Sequence, residues 1–161
     1  MHIHIGLSEV TRETISELLG QLLTSEYALY LKTLNFHWNI TGHSFISLHQ
    51  LFEANYEWLK LIIDEIAERI RTMGYTAPGA YRTPDKSIVT AHNHTKNLTV
   101  GAMLAELVAD HEALIRKIRQ VIDDISGMHD YASEDCLIQW LKGHEKNTWM
   151  LRSHLLHTPE A

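Results

Sequence analysis

Histidine is over-represented in this chain, with 12 among 161 residues, and imidazole is the commonest protein ligand for metals. Two of the twelve, His37 and His49, stand near carboxylates at helical spacing. Glu53 follows His49 by one turn, and Asp64 and Glu68 form an i, i+4 pair further along the same segment. Successive helical side chains rotate by about 100°; with the apolar stripe through Phe52 and Ile70 as zero, His49, Glu53, Asp64 and Glu68 fall at roughly 60°, 100°, 120° and 160°. All four share one flank, beside the stripe and available to a neighbour. Imidazoles and carboxylates without thiolates suit iron, manganese or zinc. A plainer reading stays open: an acidic i, i+4 pair is often a solvated face, and two histidines near a helix junction are often structural.

The elements that position these residues are helices. Prolines occur only at 78, 84 and 159, and four long stretches keep a 3.6-residue apolar period. The first runs from about Ser8 to Asn39, through Ile15, Leu19, Leu22, Tyr27, Tyr30 and Leu31. The second runs from about Ser44 to Met73, the third from about Thr99 to Ser126, and the fourth from about Asp130 to His157. Ser8 and Ser44 suit N-caps, and Gly74 and Gly127 stand where C-terminal glycines belong. At about 1.5 Å per residue each helix reaches about 45 Å, so four of matched length predict an all-α four-helix bundle. The connection from Tyr75 to Leu98 is long enough to cross the bundle and has room for a short helix near Lys86 to Ala91. The chain reads as one domain with an N-terminal arm of about residues 1–7.

Distance constrains the site. Asp64 lies 15 residues beyond His49, about 22 Å along a straight helix, so one helix cannot bring both to one metal. Two copies of the second helix run antiparallel about a two-fold axis can, and two equivalent sites per dimer follow. The other bundle solution, Glu-x-x-His motifs facing the core, is disfavoured, because no Glu or Asp here precedes a His by three residues.

Composition narrows the function further. One cysteine, Cys136, excludes an internal disulfide framework and a multi-cysteine metal site. No apolar run approaches the roughly 18–20 residues a bilayer span needs. The opening MHIHIGLSEV shows neither a basic leader nor an apolar h-region, so a cytoplasmic protein is expected. Net charge is −6, which opposes phosphate binding.

The segment from His37 to Arg69, HWNITGHSFISLHQLFEANYEWLKLIIDEIAER, resembles the Dps family (DNA-binding protein from starved cells), the mini-ferritins. The family's H-W-N-x-x-G-x-x-F-x-x-L-H pattern is met by His37, Trp38, Asn39, Gly42, Phe45, Leu48 and His49. Its D-x-x-A-E-R is met by Asp64, Ala67, Glu68 and Arg69, and HEKNTWML with Trp149 extends the likeness into the fourth helix. The resemblance implies a ferritin-like bundle with a short helix in the crossover, assembled as a hollow dodecamer. It implies Fe(II) as substrate, oxidised with hydrogen peroxide or dioxygen, and ferric mineral stored inside, limiting oxidative damage. His37 and His49 from one subunit, with Asp64 and Glu68 from its partner and Glu53 completing the set, would bind iron, with zinc as a substitute. Trp38 lies beside a ligand, as packing or as an interceptor of stray oxidising equivalents, and Asp130 and Asp135 are candidates for an acidic pore.

Some members of that family bind DNA through a Lys-rich tail. Here the first basic residue is Arg12, so DNA binding is expected to be weak. The alternatives are a DNA-protecting nucleoid protein and a zinc-loaded shell with little ferroxidase activity. His2 with His4, and His92 with His94, lack an identifiable third ligand. His111 and His144 fall on apolar stripes and read as hydrogen-bonded core residues. His154 and His157 suit a helix C-terminus, and Cys136 a packing position.

Overall fold

The computed structural model describes residues 3–79 and 98–155. Among them four helices and no strand are present: α1 (Glu9–Asn39), α2 (Phe45–Thr72), α3 (Val100–Ile125) and α4 (Tyr131–Leu155). The expected short helix near residues 86–91, and His2, His92, His94 and His157, lie outside the described residues.

The helix ends follow from local chemistry. The Ser8 hydroxyl accepts from the Thr11 amide at 3.1 Å, and the Thr99 hydroxyl accepts from the Ala102 amide at 3.2 Å. Each satisfies one of the amides a helix start leaves open. Ser44 differs from the expectation: it occupies the N-cap of α2, but its hydroxyl makes no capping bond. Its ψ of 16° departs from the extended ψ of 158° at Ser8. The turn is closed instead by backbone, Phe45 N–H to Gly42 O at 3.1 Å. After α2, Gly74 adopts φ +95°, and a Cβ there would overlap Ile3, so both the turn and the packed arm require glycine.

Two helical hairpins make the bundle. Tyr30 faces Tyr56 and His37 faces His49, so α1 and α2 run antiparallel. The pairs Arg152–Glu112 and Arg119–Glu145 set α3 against α4 in the same way. Between the hairpins, Arg69 of α2 reaches Asp130 at 2.6 Å, and Trp140 of α4 donates its indole N–H to Glu65 at 2.8 Å. These make α2 antiparallel to α4 and hence parallel to α3. Lys32 of α1, itself buried, meets Asp110 of α3 at 2.6 Å and Glu106 at 3.5 Å.

One core fills the interior, with Leu19, Leu29 and Phe36 of α1, Phe52 and Ile66 of α2, Leu107 and Ile118 of α3, and Leu137 and Trp140 of α4. Leu31 departs from its expected burial and is 58% exposed. No helix of the described residues is long and apolar enough to cross a membrane.

Candidate metal centre at the α1–α2 turn

His37 lies in the last turn of α1 and is buried; His49 lies in the second turn of α2 and is half-buried. The short turn through Gly42 brings them together, with ring centroids 3.8 Å apart and planes within 20°. Each ring binds the other residue's backbone: His37 Nδ1 to the His49 carbonyl, and His49 Nδ1 to the His37 carbonyl, both at 2.9 Å. A carbonyl only accepts, so each Nδ1 must carry the proton and donate it. In the neutral rings that leaves a lone pair on each Nε2, the tautomer a metal ligand needs. The reciprocal bonds also fix both ring planes, as outer-sphere partners of metal-binding histidines do.

Aromatic rings wall the pair. Tyr56 meets His37 edge-on at 5.1 Å, and Phe45 lies 5.0 Å from His49. Partial burial pushes the Tyr56 phenol above its ordinary value, followed by the nearby carboxylates of Glu53 and Glu57.

Glu53, Asp64 and Glu68 are all exposed. Within a single chain no three His, Cys, Asp or Glu side chains of the described residues gather into a metal site. The structure thus brings together the two histidines and leaves the distal carboxylates apart, in line with the helix-length arithmetic. Leu61, Asp64 and Glu68 share one face of α2 by their i, i+3, i+7 spacing. Asp64 borders an open groove of about 480 Å³ between α1 and α2, lined also by Tyr27, Tyr30, Leu61 and Ala67. Around this side Leu31, Trp38, Ile46 and Leu61 are each more than half exposed. Trp38 is 66% exposed within one chain.

The two pore candidates separate. Asp135 is exposed. Asp130 is 4% exposed and already engaged: its Oδ1 accepts from Arg69 Nη2 at 2.6 Å and from the Ser133 amide at 3.4 Å. It caps α4 and anchors α2, so it is not presented as a channel lining. Cys136 is half-buried, and burial pushes its thiol up, as suits a packing residue. Sequence reasoning passed over Glu26, fully buried against His144, and Lys32 against Asp110. Both charges interrupt the apolar run of α1, which was the available signal.

The model of the ferritin-like domain matches residues 16–161. An uncharacterized low temperature-induced protein of Nostoc is 38% identical over 98% of this chain and 88% of its own length. The DNA protection during starvation protein of Mycolicibacterium smegmatis is 31% identical over 93% of this chain and 81% of its own. Among solved structures, the Dps of Mycobacterium smegmatis superposes with TM-score 0.88 at 30% identity, covering 96% of this chain and 94% of that one. The Vibrio cholerae Dps, described as a member of a broad superfamily of ferritin-like diiron-carboxylate proteins, gives 0.87 at 26% identity, covering 96% and 98%. DpsC of Streptomyces coelicolor, at 24% identity, shares the fold with TM-score 0.93 over 100% of this chain and 94% of that one. On the bundle, the histidine pair and these likenesses together, the chain belongs to the Dps family of ferritin-like proteins.

Proposed function

We propose that this protein is a cytoplasmic mini-ferritin that oxidises Fe(II) at sites shared between two subunits and stores the ferric product in a dodecameric shell. The observation that carries the reading is the His37–His49 pair: two imidazoles locked by reciprocal backbone bonds, each with a free Nε2 lone pair. Exposed Asp64 and Glu68 on a partly apolar face supply the second half from a partner. Glu53, four residues after His49, lies near the histidine half.

The residues divide the work by ligand type. His37 and His49 bind Fe(II) as neutral donors, so proton competition weakens binding in acid. Asp64 and Glu68 are hard oxygen donors that favour the ion as its charge rises. Two Fe(II) ions give two electrons to one hydrogen peroxide, whose O–O bond breaks; with two protons, two waters leave. Both electrons reach the same peroxide at one site, so the one-electron cleavage that would release a hydroxyl radical is avoided. Zinc suits the same donors and would act as an inert competitor. The net charge of −6 and the use of Arg12 within the fold, donating to the Met73 carbonyl at 2.7 Å, disfavour DNA protection as the main role.

Subunit complementation tests the shared site. A His37→Ala/His49→Ala protein and an Asp64→Asn/Glu68→Gln protein should each lose rapid peroxide-driven Fe(II) oxidation. Dissociated, mixed in equal amounts and reassembled, they should recover about a quarter of wild-type activity, because half the dimers are hybrids with one intact site of two. No recovery after verified reassembly places the two halves in one chain and overturns the arrangement; full activity in either parent overturns the residues.

A further inference from the structure

A second polar cluster lies at the centre of the bundle, outside the metal centre. Glu26 of α1, His111 of α3 and His144 of α4 are each 0–1% exposed. Glu26 Oε1 meets His144 Nε2 at 2.9 Å, and His144 Nδ1 meets His111 Nδ1 at 2.8 Å. From α2 comes no ionisable group: Trp58 lies edge-on to His144 at 4.9 Å, and Asn55, one turn earlier, is buried with neither amide atom partnered. Of the other charges on these helices, Lys32 pairs with Asp110 and Glu106, Arg119 with Glu145, and Arg152 with Glu112. The two free ends, Glu26 Oε2 and His111 Nε2, are buried without partners. They lie at opposite ends of a linear chain, so the three side chains do not converge on a cation.

Hydrogen-bond logic sets the number of protons this chain can hold. With an ionised Glu26 and two neutral rings, His144 donates Nε2–H to the carboxylate and accepts at Nδ1 from His111. One added proton makes His144 a double donor, to Glu26 and to His111; every bond survives and the cluster becomes net neutral. A second proton must go either to Glu26, whose Oε2 is free and whose protonation strips the His144 imidazolium of its counter-ion, or to His111. On His111 it leaves both Nδ1 atoms carrying hydrogens that face each other at bonding distance, and in either case a net positive charge sits in a dry core.

We infer that the Glu26–His144–His111 chain is a one-proton latch between the two helical hairpins, which holds at neutral pH and parts when acid forces a second proton onto it. Burial, and then the charge of His144, hold the His111 imidazole well below its ordinary range, as the bonding pattern requires. The sign follows. Below about pH 6.5 an exposed His111 takes up a proton that the closed bundle refuses, so opening becomes easier as pH falls. The latch is independent of the iron chemistry proposed above, since neither His37 nor His49 takes part.

Amide hydrogen exchange read by mass spectrometry on the intact assembly, between pH 7.5 and 5.0 and corrected for intrinsic rates, tests the latch. In peptides spanning Glu26, His111 and His144, the opening constant should rise about tenfold per pH unit below about pH 6.5, one proton's worth. In His111→Phe this slope should vanish relative to wild type. In Glu26→Gln the cluster loses the carboxylate that balances a ring proton, so the rise should be steeper than in wild type. The other histidines are common to all three proteins and cancel in the comparison. Should His111→Phe not fold, Glu26→Gln against wild type decides alone. Equal slopes in wild type and Glu26→Gln, or a flat wild-type response at these peptides, would overturn the latch.

Discussion

Lys32 shows how much a single buried charge can carry. Its ammonium is held by Asp110 in the joint between α1 and α3. Burial raises the Asp110 carboxyl above its ordinary value, and the hydrogen bond and charge of Lys32 pull it back. Removing one partner of such a pair strands the other, so Lys32→Met should cost about 3–5 kcal/mol at neutral pH. The sign of its pH dependence is fixed: the variant's Asp110 binds a proton more readily folded than unfolded, so part of the loss should return as pH falls. Thermal unfolding at pH 7.5 and 5.0 checks this, and an equal loss at both pH values would count against the account. Gly143 is a steric case. A Cβ there would overlap the Trp58 ring, so Gly143→Ala should destabilise by about 1–3 kcal/mol as Trp58 is displaced, measurable by denaturant unfolding.

The helices divide between ends closed by side chains and ends closed by backbone. Ser8 caps α1 with its hydroxyl, whereas Ser44 occupies the same kind of position and does not. Ser8→Ala should therefore cost about 1 kcal/mol and Ser44→Ala close to none, and comparing the two melting curves separates a real cap from a positional one. The four segments, and most of their bounds within a residue or two, were legible in the sequence because apolar period and breakers are local signals. Ser44 was misread because capping depends on ψ, which the Gly42 turn sets. Leu31 was misread because periodicity marks an apolar face without saying whether its partner is in the same chain.

At the scale of the whole molecule, that ambiguity becomes the argument for assembly. Leu31, Trp38, Ile46 and Leu61 remain exposed around the α1–α2 side, beside carboxylates that complete nothing within one chain. Twelve chains of 18.5 kDa give a particle of about 222 kDa if the proposed shell forms. Leu61→Lys, at a position already 63% exposed, should leave helix content unchanged but shift the protein to smaller species in size-exclusion chromatography, with loss of iron oxidation. A full-size particle with wild-type activity would remove this face from the interface.

The sequence alone determined the helical segments and the donor types, and rise per residue forbids His49 and Asp64 from meeting within one helix, so the proposed site needs a second chain. Only the tertiary structure decided what the buried polar groups do. It gave Asp130 to Arg69 and the start of α4, locked His37 and His49 through each other's carbonyls, and set Glu26 against His144, 118 residues away. A residue's chemistry is written in its type, but its partner depends on how helix faces far apart in sequence pack, and in a dry core that partner decides where each proton sits.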